Sequence, residues 1–184
     1  MKPTEVLIDE HKAIKAMLMI MNKIAENISN GKCVETHDVE KIVDFLKIFA
    51  DKCHHGKEEN SLFPALEAAG IAKENGPIGV MLHEHTIGRN YIQELSIGIE
   101  KIKIGYFGCS QLITNSLVNY INLLRSHIEK EENVLFPMAE RVLTEHNKQV
   151  IGKEFTRIEE DILSDGKHDQ FNQLLKQLEK KYLV

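Results

Sequence analysis

Apolar residues recur along this chain every three to four positions, and convincing alternation at period two is missing, so the pattern predicts helices throughout. The first stripe carries Leu7, His11, Ile14, Leu18, Met21, Ala25 and Ile28, with Thr4 placed as its N-cap and Gly31 as its stop. The second runs from Thr36 through Val43, Leu46, Ala50, His54 and Glu58. The third starts near Gly76-Pro77 and aligns Ile78, Met81, Leu82, His85, Ile92, Leu95 and Ile99. A fourth follows a Gly105-Tyr106-Phe107-Gly108 turn and carries Ile113, Ser116, Tyr120, Leu123, His127 and Glu131. Beyond Leu143 lie two shorter helical stretches, split by Ser164-Asp165-Gly166. The expected architecture is all-α: a four-helix bundle over residues 1–143, with 144–184 as a C-terminal cap or accessory hairpin of the same domain.

The bundle is written twice. Residues 54–67, HHGKEENSLFPALE, align without a gap on residues 127–140, HIEKEENVLFPMAE, and match at nine of fourteen positions. A Glu-His pair precedes each copy, at Glu10-His11 and Glu84-His85, by intervals of 43 and 42 residues to His54 and His127. Two copies of one helical hairpin would pack as a pseudo-symmetric bundle. The leucine-phenylalanine-proline runs at 62–64 and 135–137 are expected to bend or stop their helices at the proline.

Composition narrows the partners. Hydrophobic residues make up 42% and charged residues 28%, as in an ordinary globular domain. A net charge of −5 gives no electrostatic reason to expect nucleic acid or an anionic membrane. No apolar run approaches the ~20 residues of a membrane span. The N-terminal segment lacks the apolar core of a signal peptide, and three cysteines (Cys33, Cys53, Cys109) include no Cys-x-x-Cys pair. A reducing cytoplasm is the expected location. A homo-oligomer is compatible with the sequence.

The nine histidines carry the chemistry. In His54-x-x-x-Glu58 and His127-x-x-x-Glu131 the two side chains lie one turn apart on one helix face. His11 and His85 sit on the apolar stripes of the other two helices. One such histidine alone reads as a hydrogen-bonded core residue, and one His-x-x-x-Glu alone as an ordinary polar pair. Four stripe histidines, two glutamates in phase and a duplicated spacing together read as a metal site. Nitrogen and carboxylate donors without thiolate suit iron or manganese, and less decisively zinc. Because carboxylates can bridge, two ions fit better than one. Tyr120, Cys53, Glu59 and Glu132 read as core packing or as support for the imidazoles.

In Asp9-Glu10-His11, His54-His55-x-x-Glu58-Glu59-x-x-Leu62-Phe63-Pro64, Gly76-Pro77-Ile78 through Glu84-His85, and His127-x-x-x-Glu131 with Leu135-Phe136-Pro137, the chain resembles the hemerythrin-like, HHE cation-binding family. The resemblance implies an up-down-up-down bundle around two iron ions bridged by carboxylates and an oxo or hydroxo group. It implies terminal ligands at His11, His54, His85 and His127, and bridges at Glu58 and Glu131. Oxygen-carrying hemerythrins place a second histidine one turn from the first on the third helix; here those positions are Met81 and Arg89. A coordination position is thereby left open, with His83 and His55 as candidates to fill it or to stand behind the ligands. On an ideal helix His83 is rotated about 200° from His85, and His55 about 100° from His54. His83 should then face away, and His55 only graze the ions. The functions implied are binding of oxygen, peroxide or nitric oxide as sensor, scavenger or store, with catalase-like or oxidase activity left open. The alternatives are peroxide breakdown or iron donation in iron–sulfur repair, and a metal-stabilised interaction module whose residues 144–184 dock a partner.

Overall fold

The computed structural model of the chain describes residues 1–106, 108, 110–163 and 166–184. Phe107 of the expected turn, Cys109, and Ser164 and Asp165 of the expected break lie outside the described residues. Among the described residues the fold is all-helical, with six helices and no strand.

Helix α1 spans Pro3–Ser29. Pro3 occupies the first turn, where its missing N–H has no intrahelical acceptor to lose. The cap is Lys2, so the expected cap at Thr4 falls inside the helix. The Thr4 hydroxyl instead donates to Glu140 Oε1 at 2.7 Å, drawn there by burial and the nearby carboxylate. Gly31, at φ 69°, takes the left-handed turn that ends the helix.

The second helix, α2, is continuous over residues 36–68 but changes pitch. Thr36–Phe45 is α-helical, Leu46–His55 and Glu58–Leu62 are π-helical, and Phe63–Ala68 is α-helical again. Helix α3 is Pro77–Lys103. Helix α4, residues 110–142, repeats the device: Ser110–Lys130 is α-helical, Glu131–Leu135 is π-helical, and Phe136–Val142 is α-helical. The expectation that Pro64 and Pro137 bend or stop their helices is corrected for the stop. Each helix runs on past its proline, to Ala68 and Val142. A proline in an α-helix lacks one donor and presses on the carbonyl four residues back; a π turn just before it spreads the backbone at that point. Helices α5, Glu145–Ile162, and α6, Lys167–Tyr182, complete the chain. Thr144 caps α5, accepting the Asn147 N–H at 3.2 Å.

Helices α1 and α3 both pack on α4, and α2 packs on α3 and α1. Their interior is apolar in two blocks. The larger contains Ile14, Met21, Phe45, Ile92, Leu117 and Leu124, and the smaller contains Leu7, Leu62, Phe63, Met81, Leu135 and Phe136. Between them lies one buried polar level, crossed by His11 on α1, His54 and Glu58 on α2, His85 on α3, and His127 and Glu131 on α4.

The C-terminal pair lies against these four helices. On α6, Phe171 meets Phe45 edge-on at 5.4 Å, and Lys181 and the Tyr182 hydroxyl each donate to Asp38 at 2.6 Å. On α5, Glu159 accepts from Lys57 and Glu154 from Ser61. No described helix is long and apolar enough to cross a membrane. Phe171 is the apolar anchor of α6, so Phe171→Ala should lower unfolding free energy by about 3 kcal/mol, the low end for emptying a buried phenylalanine site. Val150, more than two-fifths exposed on α5, should tolerate alanine with little change. Urea denaturation of the two variants checks both.

Candidate metal centre

The four stripe histidines meet in pairs. His11 Nε2 lies 3.1 Å from His54 Nε2, and His85 Nε2 lies 3.1 Å from His127 Nε2. The same offsets from the duplicated motif produce both pairs. Each of these histidines is at most 1% exposed and turns its other nitrogen outward to a carboxylate. His54 Nδ1 donates to Glu10 at 2.8 Å, and His127 Nδ1 to Glu84 at 2.9 Å. His11 Nδ1 donates to Glu132 at 2.9 Å, and His85 Nδ1 to Glu59 at 2.7 Å. A proton held at Nδ1 leaves Nε2 as a bare lone pair, which is the tautomer that binds a metal.

The two glutamates of the motif span the pairs. Glu131 puts Oε1 3.2 Å from His127 Nε2 and Oε2 3.3 Å from His11 Nε2. Glu58 puts Oε1 3.8 Å from His54 Nε2 and Oε2 3.4 Å from His85 Nε2. All four oxygens are buried and have no hydrogen-bond partner. Two unsatisfied carboxylates among converging imidazole lone pairs are costly on their own, and a cation offsets that cost directly. Four donors within 4.8 Å of one another gather twice: His11, His54, Glu58 and Glu131, and separately His55, Glu58, His85 and His127. The donor set therefore fits two ions of the kind bound by imidazole and carboxylate.

His55 stands closer than an ideal helix allows. Its ring lies flat on His85, with centroids 3.8 Å apart and planes 15° apart, and both of its nitrogens are buried without a partner. The cause is the π-helical stretch Leu46–His55, whose wider turns rotate the chain less per residue and keep two consecutive histidines on the inner face. His83 is exposed on α3 and belongs to neither gathering. His37, His146 and His168 are absent from both as well.

Behind each carboxylate stands a cation, a layer that sequence reasoning missed. Lys57 donates to Glu10 and Lys130 to Glu84, Lys15 to Glu132 at 2.7 Å, and Arg89 to Glu59 at 2.7 Å. The signal was present, because Lys57 and Lys130 match in the repeat and Lys15 and Arg89 both follow a histidine by four. Lys57 is fully buried, sealed by Glu159 and the Phe155 ring of α5, while the other three cations reach solvent. Burial pushes the carboxyls of Glu10, Glu59, Glu84 and Glu132 up, but the histidine and cation beside each outweigh it and hold them below the usual range. Burial also drives the Cys53 thiol up to about 12, so it is a protonated core group. Tyr120 packs in the larger apolar block, and its hydroxyl has no protein partner.

The profile of the family described as hemerythrin HHE cation binding domain matches residues 2–139. Among curated proteins, the iron-sulfur cluster repair protein YtfE of Edwardsiella ictaluri is 30% identical over 124 residues, covering 66% of this chain and 56% of its own. The protein of the same name from Pectobacterium atrosepticum is 30% identical over 137 residues, covering 72% and 61%. The chain thus spans about three fifths of the length of these relatives. No solved structure matches it.

Without metal, the Glu131 charge favours a proton on the His127 imidazole beside it. For His127, burial opposes the imidazolium, but Glu131 and Glu84 outweigh burial and raise it to about 10. A histidine raised in the folded state stabilises fully below its unfolded value of about 6.5 and loses that contribution as pH climbs through its folded one. The metal-free protein should therefore melt progressively lower from about pH 6.5 towards 10, and the metal-loaded protein should not follow that slope. Thermal melts across this range, with and without chelator, check it.

Proposed function

Because the chain belongs to the hemerythrin HHE cation-binding family, we propose that it is a non-haem di-iron protein whose centre meets oxygen, peroxide or nitric oxide. The single observation that carries this is the pair Glu58 and Glu131, each buried, unpartnered, and offering one oxygen to each histidine pair. In this reading they bridge two irons, His11 and His54 bind one, and His85 and His127 bind the other. Manganese or zinc would substitute on the same donors.

The bundle is read as up-down-up-down. Along α1 and α3 the smaller apolar block comes before the histidine and the larger after it; along α2 and α4 the order reverses. Residues 1–143 would be the bundle and 144–184 the cap of the same domain.

His55 supplies a third imidazole on the His85 side, whose counterpart in the repeat is Ile128. The two positions are then unequal, and the His11–His54 side, with two imidazoles against three, is read as the one open to a small ligand. Iron there would supply the redox and Lewis-acid chemistry. The chain's own part is to keep each Nε2 bare through its Nδ1 carboxylate and to exclude water with Phe63, stacked on His85, and Phe136, stacked on His11. The cytoplasm is the proposed location.

A second reading, iron donation in iron–sulfur cluster repair, is favoured by the names of the relatives. Peroxide breakdown at the same centre belongs with this second, enzymatic reading.

Protein from iron-supplemented cells should carry close to two irons per chain. Glu58→Gln or Glu131→Gln removes one bridging charge and should cost at least one of them, with Glu59→Gln and Glu132→Gln milder. Equal metal content in all four variants would put the bridges elsewhere. Reduced protein mixed with oxygen should oxidise rapidly and consume peroxide; stable, fully reversible oxygenation over many cycles would instead mark a closed oxygen store.

A further inference from the structure

A groove of about 340 Å³ opens between α2 and α3, lined by Lys47, Asp51, Arg89, Ile92, Gln93 and Ser96. Its floor is an ion pair: Arg89 Nε donates to Asp51 Oδ1 at 2.8 Å, while an Arg89 terminal nitrogen donates to Glu59. Asp51 Oδ1 also lies 3.5 Å from His55 Nδ1, too long and poorly directed to satisfy that nitrogen. His55 in turn lies flat on His85 and belongs to the inner gathering of donors. From the groove inward, potential metal donors therefore stand in series: Asp51, then His55, then the buried centre.

The repeat shows that packing does not require them. Counted 73 residues on, the offset of the aligned copies, Asp51 and His55 fall on Leu124 and Ile128, both buried and apolar. An unpartnered imidazole and a partly buried carboxylate are costly substitutes for two aliphatic side chains. They occur only in the hairpin that borders this groove. Arg89 has the placement of a stand-in cation, since it neutralises Asp51 and Glu59 where an arriving ion would.

We propose that Asp51 and His55 form the port through which ferrous ions enter and leave the centre, with Arg89 as the cation they displace. The proposal rests on the di-iron reading above. An ion taken from the groove binds the Asp51 carboxylate as Arg89 swings away, passes to His55, and reaches Glu58, His85 and His127. Each transfer exchanges one donor or water for another, and no electron moves. Oxygen and nitric oxide are uncharged and would gain nothing from the carboxylate, so its presence argues for a cation as the traveller.

The test measures transfer rates under strict exclusion of oxygen. Metal-free protein is mixed with ferrous ammonium sulfate, and unbound iron is trapped at intervals with a ferrous chelator; release is followed from loaded protein into excess chelator. Asp51→Asn should slow uptake and release about ten-fold, the low end of electrostatic steering. Arg89→Gln, which removes the competing cation, should quicken uptake, and slower uptake in that variant would count against the port. Lys47→Glu, on an exposed rim residue that touches no ligand, should quicken uptake at low salt and lose the effect at high salt. Rates unchanged in Asp51→Asn and Lys47→Glu, or moved in the opposite directions, would overturn the port even though two irons bind. A native chain that takes up no iron would instead overturn the di-iron reading itself. If Asp51→Asn fails to fold, as judged by circular dichroism, Lys47→Glu alone decides.

Discussion

Two carboxylates without donors, Glu58 and Glu131, are buried at one level of an otherwise apolar interior, and the surrounding structure is arranged around that charge. Taking a carboxylate out of water costs several kcal/mol even after relaxation. Hydrophobic packing cannot offset that locally, because the groups nearest the oxygens are imidazole nitrogens. The site balances in one of two ways, with protons on the histidines or with cations between them. The raised histidines of the metal-free state are the first balance, and the bare Nε2 lone pairs are what the second requires.

Outward from this level the charges alternate. Imidazole gives way to carboxylate and carboxylate to lysine or arginine, four times over, so that each carboxylate bound at a histidine Nδ1 is neutralised from behind. Such alternation fixes ring orientation as well as charge, because an imidazole hydrogen-bonded at Nδ1 cannot rotate without losing that bond. In one of the four sectors the outermost cation, Lys57, is roofed by α5. The accessory helices are thereby tied to the centre by a buried ion pair in addition to their apolar contacts.

Much of this was legible in the residues. Period and repeat located the four long helices, the two shorter ones after them, and the six side chains that the fold gathers at one level, because identity at His54, Glu58 and their partners 73 residues on is a two-fold relation written directly in sequence. What escaped was set by backbone pitch and by distance. A 3.6-residue helix puts His55 off the inner face; the π turns of α2 bring it in, and no residue type marks a π turn unambiguously. The same turns carry the chain through Pro64 and Pro137, where sequence alone reads a break. Glu10 and Glu84 were visible as neighbours of histidines, yet each supports a histidine on another helix, which only tertiary packing reveals. Thr4 looked like a cap because its environment in the chain is right for one; Glu140 competes for its hydroxyl across space.

The support for the histidines is shared between the two hairpins in a crossed manner. Glu59 of the first holds His85 of the second, and Glu132 of the second holds His11 of the first, while Glu58 and Glu131 each reach a histidine on both. Neither hairpin owns a complete set of donors. A symmetric pair of identical hairpins would nonetheless contain every donor, each half completing the other through an isologous interface. Joining the halves in one chain frees them from that identity, since a substitution no longer has to serve in two places at once. Asp51 and His55 against Leu124 and Ile128 are where this chain uses that freedom: one side of a two-fold site can specialise while the other keeps its packing.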